Sequence, residues 1–252
     1  MIKATQSGSS PDGVGFDAAA ALPEGKDKQV LVRSMFDSIA PRYDLVNGLM
    51  TFGLDTPWRR RTIELLALSP ASVVLDVGCG TGDLARSLRR QGHHAVGVDL
   101  SLGMLKAAHA GGAPLVQADA VALPFPTESA DAVVSGFAVR NFADLPGTLL
   151  ELGRVLRPGG SLALLEVGEP HNWLLRLGHR VWFTHGVPMI GALFSDAAAY
   201  RYLPRSVAYL PSFAEFVTLL ARAGFNDVRH HPMSGCIAQC VTATRSDEEP
   251  TA

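Results

Sequence analysis

Between residues 72 and 167 the apolar positions come in short, nearly unbroken runs: SVVLDV (Ser72–Val77), AVGVD (Ala95–Asp99), Pro114–Gln117, Ala130–Gly136 and SLALLEV (Ser161–Val167). Runs of this kind, bounded by turn residues, read as strands covered on both faces. Three segments between them, Gly82–Arg90, Leu102–Ala110 and Pro146–Leu156, space their apolar residues as helices do, and Pro158-Gly159-Gly160 stops the last. The alternation predicts an α/β architecture, a parallel sheet with helices on both faces. Upstream, Lys28–Met50 and Pro57–Leu68 read as helices around a Thr51–Thr56 turn. They form a helical cap (28–68) on a single domain spanning 28–252. Downstream come a helix, Ser212–Ala223, and two strands, Asp227–His231 and Gly235–Thr244.

In such sheets ligands bind beyond the carboxyl ends of the strands, so the residues just after each strand are the ones to inspect. The first strand end reads Asp76-Val77-Gly78-Cys79-Gly80-Thr81-Gly82-Asp83. Its glycines allow close backbone approach to a ligand. A dinucleotide turn would carry a third glycine where Asp83 stands, and an acid at a helix start opposes a pyrophosphate while suiting a cationic or zwitterionic ligand. The aminocarboxypropyl sulfonium of S-adenosylmethionine has that character. Asp99 ends the second strand 21 residues beyond Gly78, where an acid accepts hydrogen bonds from ribose hydroxyls. Asp119-Ala120, after the third, is placed to meet an adenine edge. After the fourth strand the chain turns at once to Arg140-Asn141, a charged and a polar residue at a strand end.

A net charge of −2 with no basic stripe argues against nucleic acid as a partner. Three cysteines without C-x-x-C spacing fit a reducing compartment. Residues 1–27 read as a loose tail with neither an apolar signal core nor transit-peptide arginines, which places the protein in the cytoplasm. Residues 169–202 fit neither period and read as an insertion rich in Trp, Leu, Phe and Ile. It either packs on the core or forms a rim for peripheral contact with the inner face of a membrane. Its histidines lack zinc spacing, and no metal is expected. The oligomeric state has no sequence signature here.

Several segments together resemble one family, the S-adenosylmethionine-dependent C-methyltransferases of menaquinone and ubiquinone biosynthesis, from about Val32 to Arg245. They are MFDSIAPRYDLVNGLMTFGLDTPWRR (35–60), VLDVGCGTGDLA (74–85), VQADAVALPFP (116–126), GFAVRNFADL (136–145), ELGRVLRPGG (151–160) and AAYRYLPRSVAYLP (198–211). The resemblance implies the class I methyltransferase fold, a Rossmann-like doubly wound sheet, mostly parallel with an antiparallel last strand. It implies methyl transfer from S-adenosylmethionine to a ring carbon of a prenylated quinol. Basic residues that are mostly Arg, with abundant Ala, Gly and Pro, suggest a GC-rich genome, and that character together with the tail tilts the substrate toward demethylmenaquinol. The ubiquinone precursor benzoquinol, another aromatic acceptor and a non-catalytic scaffold are the alternatives. The cofactor set is then Asp76, Gly78, Gly80, Thr81, Gly82, Asp99, Asp119, Ala120 and Gly136, the last standing where the family often carries serine. Asp55 replaces a family histidine, and the segment Gly235–Val241 lacks another.

Methylating a ring carbon requires electron density there, which a quinol supplies as its phenolate. Arg140 is the candidate to stabilise that anion, with Asn141 orienting a ring oxygen and water or a histidine such as His185 taking the proton. The competing reading pairs Arg140 with Asp144 at the surface. Tyr43, Asp44 and Asn47 share a helical face and are expected to close as a lid over the methionine part of the cofactor, Tyr43 completing the catalytic set. Trp58-Arg59-Arg60-Arg61 reads as a solvated basic face or one attracted to anionic lipid.

Overall fold

The computed structural model describes residues 23–109, 111–187, 189–190, 202 and 205–247. Most of the predicted tail, and the part of the insertion around residues 191–201, lie outside them.

Among the described residues seven strands form one sheet: β1 (Val73–Val77), β2 (His94–Asp99), β3 (Leu115–Gln117), β4 (Ala130–Gly136), β5 (Leu156–Val167), β6 (Phe225–Met233) and β7 (Ala238–Arg245). Their order is β3-β2-β1-β4-β5-β7-β6, and only β7 runs antiparallel to its neighbours. The chain order reverses between β1 and β4, which opens the ligand crevice at their carboxyl ends. Successive side chains on a strand point to opposite faces, and the core divides accordingly. Leu75, Val133 and Leu164 pack against α6 (Leu145–Val155) and α8 (Phe213–Arg222), whereas Val74, Val134 and Leu165 pack against α3 (Asp55–Leu65) and α4 (Asp83–Arg90).

Several elements depart from the sequence reading. The expected helix Lys28–Met50 begins earlier and is broken into α1 (Gly25–Ile39), a 3-10 turn Ala40–Arg42 and α2 (Tyr43–Thr51). Pro41, which has no N–H to donate, sits at the break. Helix α5 is short, Leu102–Ala107, and does not reach residue 110. Helix α6, capped by Asp144 accepting from the Gly147 N–H at 2.9 Å, ends at Val155, and β5 starts immediately. The Pro-Gly-Gly stretch lies inside that strand as an irregularity, since pairing with β4 jumps from Ala130↔Leu156 to Ala132↔Ser161. The last strand starts at Ala238 because Ser234–Cys236 forms a 3-10 turn, with Gly235 at φ 67°. Within the insertion, α7 (Trp173–Val181) continues into a π-helical turn, Trp182–Gly186. No described helix is long and apolar enough to cross a membrane.

Candidate functional site

The crevice is built by hydrogen bonds between neighbouring strand ends. Asp99 accepts from the Gly80 N–H through Oδ2 and from the Ser101 N–H through Oδ1, each at 2.8 Å, fastening the glycine turn after β1 to the loop after β2. Asp76 Oδ2 accepts from the Ala85 N–H at 2.9 Å, while its Oδ1 is buried without a partner among the described residues. Gly78 is required by shape: a Cβ there would lie 2.5 Å from Ala138 Cβ, at φ +70°. Six of the predicted cofactor residues, Gly78, Gly80, Asp99, Asp119, Ala120 and Gly136, line one narrow cavity of about 90 Å³. Asp76, Thr81 and Gly82 do not line it. Thr81 is buried and donates to Asp44 Oδ1 at 2.5 Å, and Gly82 precedes α4.

A second cavity, of about 400 Å³ and almost wholly apolar, adjoins the first. Phe36, Tyr43 and Phe137 wall both, so these three rings separate the two spaces. Phe137 holds φ 60°, an uncommon conformation for a bulky residue and one that tends to occur at functional sites. Its ring lies 6.4 Å from that of Trp58 and 5.9 Å from the Arg59 guanidinium. The far wall comes from α7 and the π-helical turn, through Leu174, Leu175, His179, Trp182 and Phe183. Trp182 stacks on Phe52 with centroids 4.6 Å apart, joining the insertion to the cap.

Arg140 lies on the wall of this larger cavity and is buried. Its partner is Glu166 at the end of β5, not Asp144, which is occupied in capping α6. Glu166 also accepts from the Arg140 N–H at 3.3 Å and from the Val167 N–H at 2.8 Å, and Arg140 Nε donates to Ser206 Oγ at 3.2 Å. The guanidinium is thus held from behind at the cavity wall. Asn141 turns the other way. It lines the smaller crevice, donates through Nδ2 to the Phe137 carbonyl at 3.4 Å, and leaves a buried Oδ1 with no partner among the described residues.

Tyr43 touches both cavities, whereas Asn47 lines only the larger. Burial pushes the Tyr43 phenol up, and the Arg59 and Arg140 guanidiniums draw it back down. His185 is exposed and outside the cavity lining. The imidazole on the wall is His179, which burial pushes down and which stacks on Phe183 at 4.3 Å. The basic run after Trp58 divides: Trp58 is buried and donates to Ser234 Oγ at 2.9 Å, and Arg59 turns inward to Asp55 and Asp83. Arg60 and Arg61 stay on the surface with Glu64.

Sequence reasoning missed Glu166, Phe137, Lys28 and Gln29. Glu166 left a signal, being the only charge in the apolar run SLALLEV. Phe137 gave none beyond lying inside GFAVRN, and Lys28 and Gln29 gave none beyond lying in the expected helix Lys28–Met50.

Comparisons with known proteins place this fold. Solved structures with the same fold include a phosphoethanolamine N-methyltransferase 2 from Haemonchus contortus with S-adenosyl-L-methionine. It has a TM-score of 0.56 and 16% identity, over 75% of this chain and 52% of that one. A demethylmenaquinone methyltransferase of Thermus thermophilus is 44% identical over 201 residues, covering 76% of this chain and 91% of the relative. A ubiquinone/menaquinone biosynthesis C-methyltransferase of Syntrophotalea carbinolica is 43% identical over 222 residues, covering 85% and 94%. Residues 24–245 match the ubiE/COQ5 methyltransferase family, and the chain belongs to that family.

Proposed function

We propose that the protein transfers the methyl group of S-adenosylmethionine to a ring carbon of a prenylated quinol, most directly demethylmenaquinol. The observation that carries this reading is the pairing of a crevice lined by Asp99, Asp119 and Asn141 at the β1/β4 switch point with a larger apolar cavity whose wall holds, among the described residues, the Arg140 guanidinium. The crevice suits the cofactor. Asn141, in the crevice lining, keeps a buried acceptor oxygen with no partner among the described residues, which fits a ligand that donates hydrogen bonds. Asp99 and Asp119 supply carboxylates for ribose hydroxyls and the adenine edge. When bound, the cofactor supplies an electrophilic methyl on a sulfonium.

Every other part of the chemistry falls to the chain. Arg140 stabilises the phenolate that makes the ring carbon nucleophilic, by charge-assisted hydrogen bonding. It does not take the proton, because a guanidinium stays charged at accessible pH. Phe36, Tyr43 and Phe137 hold the ring against the crevice and exclude water. Asn141 serves the cofactor side, not the ring oxygen. With S-adenosylmethionine bound, the methyl–sulfur bond would break as the ring carbon takes the methyl, leaving neutral S-adenosylhomocysteine, and the ring would regain aromaticity by passing that carbon's proton to water.

The apolar cavity also suits the isoprenoid tail. Its α7 wall continues outward into Trp173, Leu174, Leu177 and Val181, all exposed, beside exposed Phe52 of the cap. This rim supports peripheral contact with a bilayer, through the insertion of a single methyltransferase domain. The test is methyl transfer to short-chain demethylmenaquinol presented in anionic vesicles under reducing conditions, with the benzoquinol precursor in parallel. Methylated naphthoquinol as the main product is expected. Cofactor binding without turnover on either quinol would overturn the reading.

Asp76 adds a pH dependence. Burial pushes its carboxyl up to about 7, against the opposing Ala85 N–H and Arg59 charge. The folded state therefore binds the proton more tightly than the unfolded chain, whose carboxyl titrates near 3.8. Stability is lost as pH rises from that value through about 7. Without cofactor, Tm is expected to fall across this window and Asp76→Asn to flatten the slope. A wild-type slope identical to that of the variant would refute this.

A further inference from the structure

A ring hydroxyl of ordinary acidity, near that of a tyrosine phenol, is ionised in only about one molecule in a thousand at pH 7. Arg140 stabilises the phenolate once formed, but the hydroxyl proton still needs an acceptor. Among the described residues that line the larger cavity, the titratable side chains are Tyr43, Arg140 and His179. A guanidinium takes no further proton. Tyr43, its phenol pushed up, already holds one at neutral pH. His179 is left.

Its setting suits that task. The imidazole is half-buried in an almost wholly apolar wall, and burial pushes it below the ordinary 6.5, so at pH 7 it is neutral and keeps one acceptor nitrogen. Its Nε2 is buried with no partner among the described residues. A polar atom left so in an apolar wall costs free energy that an arriving hydroxyl recovers. Glu169 is the charge that draws the imidazole back up, and it is exposed and paired with Arg176 at 3.5 Å. Arg180 and His185 share the insertion, while Tyr43 and Arg140 face the cavity from the cap and from the turn after β4.

The ring is also held in place. It stacks on Phe183, one turn further on, with centroids 4.3 Å apart. Phe183 belongs to the π-helical turn, a form found frequently at functional sites. That turn is anchored by Trp182, whose Nε1 donates to the Met50 carbonyl at 3.0 Å. A Cβ on Gly186 would lie 2.4 Å from the Trp182 ring, so glycine is what lets the indole rest there. Arg140 comes from the sheet and His179 from α7, so an acceptor in the cavity has both within its walls.

We propose that His179 is the catalytic base that takes the hydroxyl proton of the acceptor. The O–H bond breaks, its electron pair stays on oxygen as the phenolate that Arg140 stabilises, and the proton forms an N–H bond on the imidazole. The imidazolium then returns the proton to water at the mouth of the cavity, where Leu174 and Leu175 of the same helix are exposed. This step rests on the proposed function.

The test is the pH profile of methyl transfer to short-chain demethylmenaquinol, using the full chain as wild type, His179→Ala and, as a control on the same insertion, His185→Ala. The ratio of wild-type to His179→Ala kcat is expected to be about 100 at pH 7, within the usual range for a general base. It should shrink toward pH 9, as the hydroxyl ionises without help, and below pH 6, as the imidazole charges. Free imidazole should restore part of the loss. The Kd of S-adenosylmethionine should not move, since His179 does not line the crevice, and His185→Ala should match wild type. His179→Gln, which fills the site and takes no proton, should repeat the alanine profile without depending on how α7 tolerates a small residue. A deficit that is the same at every pH and unmoved by imidazole would mark a structural role and overturn the proposal, as would a kcat within about threefold of wild type at pH 7 in either variant. Wild-type enzyme that methylates neither demethylmenaquinol nor the benzoquinol precursor would overturn the proposed function and this step with it, whereas wild-type turnover matched by the variants would overturn this step alone.

Discussion

Arg140→Ala is expected to lower kcat with the quinol by about 100- to 1,000-fold, the usual consequence of removing one preorganised group that stabilises developing charge. The Kd of S-adenosylmethionine should move little, because Arg140 lines the acceptor cavity and not the cofactor crevice. The single variant has a confounding effect that the structure makes explicit. Glu166 is buried and its charge partner is Arg140. Removing the guanidinium strands that carboxylate, and breaking a buried pair in this way costs about 3–5 kcal/mol. Arg140→Ala/Glu166→Gln removes the stranded charge. It should recover most of the lost Tm while leaving turnover as low as in the single variant. Arg140→Lys tests the geometry separately: an ammonium keeps the charge but cannot reproduce the fork that spans Glu166, Ser206 and the cavity. Intermediate turnover is expected from it. If the double variant regained activity along with stability, Arg140 would be a structural partner of Glu166 and the phenolate would need another cation.

The parts of this site that were legible in the sequence are those fixed by backbone geometry. The glycine turn, Asp99 and the Asp119-Ala120 pair follow from the rule that strand ends hold the ligand. They do line one crevice, since their positions depend only on where parallel strands stop. Arg140 and Asn141 were visible by the same rule, but their division of labour was not. A 3-10 turn over Val139–Asn141 sends consecutive side chains into different cavities, and strand spacing carries no information about such a turn. Partners across the fold were equally hidden. Glu166 lies 26 residues from Arg140, and Gln29 lies 90 from Asp119, so both pairings depend on topology. The cap was read as a lid over the methionine end because the spacing of Tyr43, Asp44 and Asn47 suggested a single face. The break at Pro41 lets α1 run back along the crevice, where Gln29 donates to Asp119.

Gly78→Ala is the substitution expected to damage the fold and the cofactor site together. The left-handed conformation costs an alanine about 1–2 kcal/mol. Its methyl would lie 2.5 Å from Ala138 Cβ, with Phe142 and Ser135 at 3.9 Å, so little space is left for relief. Overpacking of that kind adds about 1–3 kcal/mol. Together these make roughly 2–5 kcal/mol, and at about 2–4 °C per kcal/mol for a domain of this size the loss is roughly 4–20 °C in Tm. Cofactor affinity should fall as well, because the N–H groups of Gly78 and Cys79 both donate to the Val98 carbonyl and any shift of the turn disturbs Asp99 beside it. Ala138→Gly separates the two causes. Ala138 has φ −107°, where glycine fits without strain, and its Cβ is the atom in conflict. The double variant should therefore recover the packing part and keep the conformational part, giving a coupling energy of about 1–3 kcal/mol between neighbouring sites. Full recovery would mean that contact with Ala138 alone requires glycine at this turn. No recovery would assign the requirement to backbone conformation and remove the close approach between the β1 and β4 loops as the reason the crevice is shaped as it is.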